Sequence, residues 1–357
     1  MVDFGGSNVM SMNEMRKDYL LNRWVVIATK RKHRPTDFAK RVRERSVGVC
    51  PLCPGNEHMT PPAVLVYLPS DGGVKKERDL NGFRHKNWLI RCVPNLYPAF
   101  IPPEHERGIG VKENPTLARA VGHHEVLVES PRHREHPSVA RVSQLVHLVK
   151  AYLDRLKDLS AKDYIRYVSI FRNHGRDAGA SLSHAHTQLI TTPFIPRTVD
   201  EELEASRESW MKGGGCVFCD ILDKEKDSSR FIWESDHFLV FAPWASVHPF
   251  EFWMFPKRHQ STLLDISQSE AKALAKALRM CFGGLRSLLR DPPYNFGFHM
   301  APSKGAHDYY HWHLEVYPKL TIWAGFEKST GMFINVMPPE DAAESLREAI
   351  RREEAKL

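Results

Sequence analysis

The 357-residue chain has no uninterrupted apolar run close to the ~18 residues that a membrane-spanning helix needs. Its first twenty residues also lack the apolar core of a secretory signal peptide. We therefore expect a soluble, cytoplasmic protein with no membrane partner. Cysteine is scarce, with six residues in the chain. In a reducing cytosol we expect the four cysteines with Cys-x-x-Cys spacing to serve metal or redox chemistry rather than disulfides, and we interpret Cys92 and Cys281 as buried apolar residues.

The residues that are abundant indicate a packed globular protein. Hydrophobic residues make up 42% of the chain and charged residues 26%, which excludes a mostly disordered, collagen-like or coiled-coil chain. At about 150 residues per domain, the length predicts two domains or one duplicated unit. The net charge of +7 favours anionic partners, either nucleic acid or small phosphorylated molecules. The densest basic stretch, residues 30–45, contains Pro35, Asp37 and Phe38, and we interpret it as solvated surface.

Four of the six cysteines form two Cys-x-x-Cys pairs, and the same order of histidines follows each pair. In the first half, 51 positions separate His133 from His184; in the second, 52 separate His259 from His311. The prolines and glycine around the first pair favour a zinc knuckle over a thioredoxin-like motif. We predict two tetrahedral zinc sites per chain. Their ligands are Cys50, Cys53, His133 and His184 in the first site, and Cys216, Cys219, His259 and His311 in the second.

The two halves differ in the spacing that precedes the first histidine. Cys53 and His133 are 80 positions apart, whereas Cys219 and His259 are 40 apart, so the first half carries an insertion. The order of strand-like and helix-like segments otherwise recurs twice. It predicts an α+β fold with antiparallel sheets and helices packed on one face. The polar, glycine-rich stretch 197–215 marks a boundary, and we place the two domains at 1–198 and 199–357.

The His-x-His of the first half combines a candidate metal ligand with a second histidine. On a strand, side chains two positions apart point to the same face, so His184, His186 and Gln188 form a row. If a metal binds His184, the imidazole of His186 stays unligated beside it on a metal-tethered strand. The simpler alternative is that His186 is a second metal ligand or a core residue.

A segment rich in small residues, GRDAGAS at 175–181, precedes this row. Backbone N–H groups of such a segment can form an anion-binding nest, which makes Gly179 and Ser181 candidate substrate contacts. A rigid, neutral imidazole beside a phosphate cradle indicates nucleophilic attack on phosphorus by His186, followed by transfer of the group to a second phosphate. Gln188 would donate hydrogen bonds to the non-bridging phosphate oxygens.

The second half breaks this pattern. Its row reads His311, His313 and Glu315, and a carboxylate in place of the amide would repel phosphate oxygens. The segment before it, SKGAHDYYHW, has no equivalent of GRDAGAS. We therefore expect only the first half to be catalytically competent, and the second to supply structure and part of the substrate pocket.

Together these motifs resemble the galactose-1-phosphate uridylyltransferase family of the histidine-triad superfamily, over residues 23–347. SHAHTQL is similar to the family's His-Pro-His-(small)-Gln motif, which implies that His184 binds zinc and His186 becomes nucleotidylated. CPLCPGNE and SPRHREHP resemble the segments that carry the other zinc ligands of the first site. The resemblance implies two tandem histidine-triad-like domains, ping-pong transfer of a nucleoside monophosphate from a nucleotide-sugar to a hexose 1-phosphate, and a homodimer.

The resemblance also implies which residues contact the nucleotide. RWVVIATKRKHRP is similar to the family's N-terminal motif, whose two arginines approach the nucleotide phosphates; these are Arg31 and Arg34. VPNLYPAF resembles the nucleoside-contacting segment and places its asparagine at Asn95. The family's asparagine eleven residues before the zinc histidine falls on Asn173.

The hexose end departs from the galactose-acting bacterial enzymes. The chain keeps the family's Gly-aromatic-Glu, which gives Phe326 and Glu327 as sugar contacts, but lacks a nearby lysine and glutamine. Thr321 and Phe333 or Ile334 occupy those places. This stretch is more similar to the plant ADP-glucose phosphorylase branch, whose members pass an adenylyl group to inorganic phosphate. ADP-sugar phosphorolysis is therefore a second hypothesis, and a zinc-stabilised nucleic-acid-binding protein is a distant third. We expect no nucleic-acid partner, because a binding module gains nothing from the asymmetry of the halves.

Overall fold

The computed structural model describes residues 13–28, 35–38, 48–80, 82–103 and 119–356. Its strands are β1 (Glu14–Lys17), β2 (Trp24–Ile27), β3 (Leu65–Ser70), β4 (Gly73–Glu77), β5 (Ile90–Pro94), β6 (His124–Val128), β7 (Tyr167–His174), β8 (His186–Thr192), β9 (Phe231–Glu234), β10 (Phe238–Phe241), β11 (Phe252–Pro256), β12 (Tyr294–His299), β13 (His313–Pro318) and β14 (Phe333–Asn335). Its helices are α1 (Pro35–Phe38), α2 (Val142–Ser160), α3 (Arg197–Ser209), α4 (Val217–Glu225), α5 (Gln268–Leu289), α6 (Gly325–Thr330) and α7 (Pro339–Glu354).

Eleven of these strands form one antiparallel sheet in the order β4-β3-β5-β6-β8-β7-β12-β13-β11-β10-β9. Strands β7 and β12 pair at its centre, with Asn173 opposite Asn295. Counted outward from this central pair, β8 takes the same place in the first half as β13 in the second, and β6 the same place as β11. The two halves therefore repeat as the sequence predicts. The extra strand β4 belongs to the predicted insertion of the first half. The predicted boundary between residues 198 and 199 lies in the first turn of α3 and stays a prediction.

The longest helices pack on one face of this sheet. Helix α5 lies against both α2 and α7. Side chains of α2 and α5, such as Leu148 and Leu278, share a buried core with Leu189, Phe298 and Leu314 of the strands. This confirms the predicted α+β class, in which apolar strand faces are covered by amphipathic helices.

The neighbouring strand residues point to the opposite face, because side chains alternate along a strand. In the second half this face is covered by α3 and α4, whose Leu203 and Phe218 pack on Phe241 and Trp253. In the first half the loop that begins at Cys50 covers it instead. Near the central seam the same face carries polar side chains, and these form the candidate site.

Local signals set the ends of several elements. Helix α5 starts with a capping box: the Ser267 hydroxyl accepts from the Glu270 amide at 3.2 Å, and the Glu270 carboxylate accepts from the Ser267 amide at 2.7 Å. Strand β11 begins only at Phe252, because Phe250 has a left-handed φ of 61°. A second small sheet has the order β1-β2-β14. Among the described residues, no helix is both long and apolar enough to span a bilayer.

Candidate active site and metal clusters

The predicted ligands of the first metal site meet beside the start of β8. The Cys53 sulfur lies 3.3 Å from His133 Nδ1 and 3.4 Å from His184 Nδ1, and Cys50 Sγ lies 3.9 Å from His184 Nδ1. All four ligand atoms are within 4.8 Å of one another. Two thiol and two imidazole groups are a donor set that suits tetrahedral zinc.

Hydrogen bonds outside this cluster turn both imidazoles toward the cysteines. His184 Nε2 lies 2.8 Å from the Ser130 carbonyl oxygen, which can only accept, so Nε2 carries the proton. His133 Nε2 lies 2.9 Å from the Ser183 hydroxyl. Partners of this kind leave Nδ1 free for a metal and hold the ring in place.

The second predicted cluster has the same composition and a similar size. Cys219 Sγ lies 3.4 Å from His259 Nδ1 and 3.6 Å from His311 Nδ1, and with Cys216 the four ligand atoms lie within 4.8 Å of one another. Here the outward nitrogens differ from those of the first cluster. His259 Nε2 and His311 Nε2 are buried without a hydrogen-bond partner in the described part of the chain. The imidazoles of this cluster are therefore less firmly oriented.

His186 sits at the first position of β8 and is not a member of the metal cluster. Its Nδ1 lies 2.7 Å from the carbonyl oxygen of His184, so Nδ1–H donates and the lone pair is on Nε2. Within the described residues, Nε2 has no hydrogen-bond partner, and the side chain retains 6% exposure. Burial lowers the pKa of His186, and the guanidinium of Arg172 lowers it further, which keeps the ring neutral.

A buried ion pair lies behind the strand that carries His186. Arg172 forms a close ion pair with Glu129 and also donates to the His186 carbonyl oxygen at 3.2 Å. The Thr187 hydroxyl donates to the same Glu129 oxygen at 2.6 Å and contacts the Tyr152 hydroxyl at 2.7 Å. These contacts fix the strand on the helix side, so the His186 ring has little freedom to move.

Gln188 lies on the same sheet face as His186 and is fixed by a histidine of the neighbouring strand. The backbone N–H of Ala99 donates to His124 Nδ1 at 3.1 Å, so His124 Nε2 carries the ring proton and donates to Gln188 Oε1 at 2.8 Å. This turns the carbonyl end of the Gln188 amide away and leaves its NH₂ group available as a donor. Asn95 Nδ2 lies 3.0 Å from the same His124 nitrogen; because both groups are donors this is a contact and not a hydrogen bond, and it places Asn95 and Gln188 beside the same ring.

The small-residue loop differs in part from the predicted nest. The N–H groups of Ala178 and Ala180 donate to the carbonyl oxygen of Gly175, and the N–H of Gly179 donates to the carbonyl oxygen of Arg176. These three amides are therefore hydrogen-bonded within the loop. The prediction that they form an anion-binding nest is wrong for this conformation. Ser181 is exposed at the end of the loop. Gly175 has a left-handed φ of 79°, and a Cβ there would lie 3.0 Å from Pro293, so this turn requires glycine.

Asn173 reaches the same loop from the central seam. Asn295 Nδ2 donates to Asn173 Oδ1 and to the Ala178 carbonyl oxygen, both at 2.8 Å. The oxygen of the Asn173 amide is thus occupied, and its Nδ2 faces the loop: a Cβ on Gly179 would lie 3.8 Å from it. Asn173 therefore presents a donor at the loop where a phosphate is expected.

The equivalent row of the second half has different surroundings. His313 is 1% exposed and stacks on Phe255 at 4.5 Å between ring centroids. Its Nε2 lies 3.3 Å from Glu315 Oε1. Although burial opposes charge on His299, the carboxylates of Glu202 and Glu315 raise its pKa to about 9. The position of the nucleophile is therefore filled by an aromatic and ionic network, which borders a cleft of about 500 Å³.

Of the remaining predicted substrate residues, Phe326 and Glu327 are not brought to His186. Phe326 is exposed on α6, and the Glu327 carboxylate accepts from the Ala324 amide at 2.9 Å and so caps that helix. No contact among the described residues joins either side chain to the row on β8. Arg31 and Arg34 lie outside the described residues.

Sequence reasoning missed His124, Asn295 and the Arg172–Glu129 pair. His124 and Asn295 lie on strands beside those that carry predicted residues, and only the pairing register shows their contacts: Val126 is opposite Gln188, and Asn295 is opposite Asn173. Arg172 and Glu129 meet from the end of β7 and the residue after β6. A weak signal existed for one of them. Two adjacent histidines, His123 and His124, stand where β6 begins, and polar side chains beside a buried strand are informative positions.

Comparison with known proteins places this geometry among enzymes. A model of a domain of unknown function, DUF4921, matches residues 138–356. The chain is 33% identical to ADP-glucose phosphorylase of Arabidopsis thaliana, over 94% of this chain and 92% of that protein. It is 31% identical to galactose-1-phosphate uridylyltransferase of Thermotoga maritima, over 94% of this chain and 98% of that one.

Solved structures agree with these sequence matches. A crystal structure of the Arabidopsis thaliana ADP-glucose phosphorylase with bound ADP-glucose superposes with a TM-score of 0.78, at 31% identity, and covers 94% of this chain and 99% of that one. A structure of a uridylyltransferase superposes with a TM-score of 0.70 at 26% identity, over 96% of this chain and 99% of that one. The similarity spans both halves of the sheet.

Proposed function

Because the chain belongs to the family of galactose-1-phosphate uridylyltransferases and plant ADP-glucose phosphorylase, we propose that it is a nucleotidyltransferase that works through a covalent nucleotidyl-His186. One observation carries the proposal. His186 Nδ1 is held by the His184 carbonyl at 2.7 Å, so the lone pair of a neutral ring is on Nε2. A nucleophile of this kind needs no general base, because its attacking nitrogen already lacks a proton.

The reaction has two displacements at one phosphorus. His186 Nε2 attacks the α-phosphorus of a nucleoside diphosphate-sugar, an N–P bond forms, and the P–O bond to the sugar phosphate breaks, which releases a sugar 1-phosphate. An oxygen of a second phosphate group then attacks the same phosphorus, and the N–P bond breaks to restore neutral His186. The acceptor is a hexose 1-phosphate or inorganic phosphate.

Hydrogen-bond donors around His186 stabilise the negative charge on the phosphoryl oxygens during both steps. The NH₂ of Gln188 donates to non-bridging oxygens, since His124 holds its Oε1 at 2.8 Å. Asn173 Nδ2 and the Ser181 hydroxyl supply donors from the loop side. Preorganised donors of this type contribute roughly 3–4 kcal/mol each to transition-state stabilisation. Arg31 and Arg34 complete the proposed phosphate contacts, Asn95 the nucleoside contact, and Phe326 and Glu327 the sugar contact.

Zinc is the metal we propose for both Cys₂His₂ clusters, two ions per chain. Thiolate and imidazole ligands at tetrahedral spacing suit zinc, and closed sites of this kind serve structure. When bound, the first ion tethers His184 and therefore the backbone carbonyl that orients His186. We also propose that the protein is a homodimer in the cytoplasm. Its partners are small phosphorylated substrates rather than nucleic acid.

Two donor substrates fit this mechanism equally well. With UDP-glucose the protein would transfer a uridylyl group to a hexose 1-phosphate; the alternative is adenylyl transfer from an ADP-sugar to phosphate. The relatives include both activities by name. The covalent-labelling experiment therefore decides whether the nucleobase is uracil or adenine.

The test is to incubate the protein with UDP-glucose or ADP-glucose and to measure the intact mass. We expect an increase of one nucleoside monophosphate with one of the two donors, reversed on addition of the correct acceptor. His186→Ala should lose this adduct and several orders of magnitude of turnover, as expected for loss of a covalent nucleophile. If His186→Ala still catalyses the exchange, the proposed mechanism is wrong. The control is His237→Ala, a histidine between β9 and β10 outside every cluster.

A further inference from the structure

A further group of side chains that could ligate a metal joins the two halves at the central seam and shares no residue with the Cys₂His₂ clusters. It consists of His136, three residues after the cluster ligand His133, His174 at the end of β7, and Asp291 just after α5. His174 points away from the active face, since Asn173 before it points into the site. None of the three residues has a part in the proposed reaction.

The geometry of the group is close to that of a coordination site. Asp291 Oδ1 lies 3.1 Å from His174 Nε2 and 3.9 Å from His136 Nε2, and the three ligand atoms lie within 4.8 Å of one another. Bonds of about 2.0–2.2 Å to a central zinc ion would place such atoms about 3.5 Å apart. Shifts well under 1 Å would therefore bring all three atoms onto one metal.

Neighbouring contacts already orient both imidazoles for this role. His136 Nδ1 lies 2.9 Å from the buried Ser138 hydroxyl, a partner that can accept Nδ1–H and leave the Nε2 lone pair toward Asp291. The His174 ring stacks on Tyr294, with 4.7 Å between centroids.

We propose that His136, His174 and Asp291 bind a divalent transition-metal ion, such as Zn²⁺, that cross-links the two halves of the sheet. Two imidazoles and one carboxylate suit borderline metals and leave one or more positions for water. Asp291 is 41% exposed, so an ion has access from solvent. The site differs from the two sulfur-containing clusters in its ligands, its position and its accessibility.

One neighbour competes with the metal. Arg286 Nε lies 3.9 Å from Asp291 Oδ1, and its guanidinium repels a cation bound to that carboxylate. The Arg286 side chain is half exposed and can turn into solvent. Affinity should therefore be moderate, and Arg286→Ala should bind the metal several-fold more tightly than the wild type.

The test counts metal ions per full-length chain after equilibrium dialysis against micromolar free Zn²⁺. We expect the His174→Ala and Asp291→Asn variants to hold one ion fewer than the wild type, and His237→Ala to hold the wild-type number. Ser138→Ala should keep the site but weaken it roughly tenfold, as loss of an outer-shell partner does. An unchanged ion count in both His174→Ala and Asp291→Asn would overturn the proposal.

Cobalt provides a readout that does not depend on activity or on the sulfur sites. With Co²⁺ as the probe, the equivalent lost in Asp291→Asn should contribute visible d–d absorption without the thiolate charge-transfer band that cysteine ligands give. A lost equivalent that carries the thiolate band would assign it to a Cys₂His₂ cluster and contradict the proposal. Asp291→Asn should remove the same cobalt equivalent when it is made in the His186→Ala variant. A failure of the nucleotidyl mechanism can therefore be distinguished from a failure of this metal site. Thermal melts of each variant without added metal identify any that do not fold.

Discussion

In each half of the sheet, a histidine follows a metal-cluster histidine by two residues: His186 in the first half and His313 in the second. Both donate Nδ1–H to the carbonyl of that cluster histidine, at 2.7 and 3.2 Å. They differ at the other nitrogen. His186 Nε2 is without a partner in the described residues, whereas His313 Nε2 faces Glu315 and its ring is stacked on Phe255.

Under the proposed function, the scaffold and the chemistry are separable. In both halves the backbone carbonyl of a Cys₂His₂ histidine orients an imidazole, so orientation alone would not make His186 the nucleophile. What distinguishes the first half is the residue two positions further on. Gln188 is a neutral donor whose oxygen is held by His124, while Glu315 is a carboxylate whose pKa is lowered to about 2 within its buried ionic network, despite the opposing effect of burial.

The largest expected effect comes from removing a ligand of the Cys₂His₂ cluster, which each half contains. Cys50→Ser and Cys216→Ser each remove a ligand from one of the two proposed structural zinc sites. Such sites contribute on the order of 10–16 kcal/mol, which is comparable to the whole stability of a domain. We expect loss of cooperative unfolding in circular dichroism and calorimetry for each variant, where Cys281→Ser, a buried cysteine outside the clusters, keeps a normal transition. A native melt for Cys50→Ser would show that the first cluster has no structural role.

The next effect comes from exchanging the residues that distinguish the halves. Gln188→Glu places a carboxylate beside the phosphorus and should lower kcat/KM about 10²–10³-fold, the effect of losing one preorganised donor. Glu315→Gln should lower the melting temperature, because His299 and Tyr317 lose a charged partner. Its nucleotidylation rate per folded molecule should not change. Equal rate losses in the two variants would mean that the halves are not functionally distinct.

A smaller effect tests the outer contacts of the two metal clusters. Ser183 hydrogen-bonds His133 in the first cluster, whereas the imidazoles of the second have no such partner within the described chain. Release of metal to a chelator should therefore have two phases, with the second cluster roughly 10–100-fold faster. Ser183→Ala should bring the slow phase toward the fast one, and the exposed Ser229→Ala should not. A single phase that Ser183→Ala leaves unchanged would contradict this difference.

The smallest effect concerns the histidine that orients Gln188. His124→Ala frees the Gln188 amide to rotate, and misplacement of a catalytic donor costs about 10- to 100-fold in rate. We expect the loss in kcat rather than KM, because the donor acts mainly in the transition state. His123→Ala is the matched control, since the adjacent His123 contacts Tyr164 instead. A change confined to KM would indicate that His124 contacts the nucleotide rather than Gln188.

Much of the site could be predicted because its residues carry spacing signals. The matched intervals of 51 and 52 residues identified both metal clusters, and the alternation along a strand placed His186 and Gln188 on one face. The family resemblance added Asn95 and Asn173, which the structure places beside His124 and beside the small-residue loop 175–181. These are local patterns, and local geometry preserves them in the fold.

The rest depended on pairings between distant segments. The eleven-stranded sheet exists because β7 pairs with β12, and no pattern in either strand specifies that partner. His124 contacts Gln188 across 64 positions of sequence, and Arg172 is placed beneath His186 only by the β7–β8 register. The loop amides were expected to be free because small residues permit a nest. The actual turn uses them internally, which composition alone could not reveal.

The account is tested most directly by locating the nucleotide on the protein. The labelled chain is digested with trypsin at mildly alkaline pH, which preserves a phosphoramidate, and the peptides are fragmented by mass spectrometry. One peptide, 177–197, contains His184 and His186; the other, 305–319, contains His311 and His313. We predict that the nucleoside monophosphate is on His186 and that the second peptide is unmodified. Label on His184 or His313, or none under turnover conditions, would contradict the account.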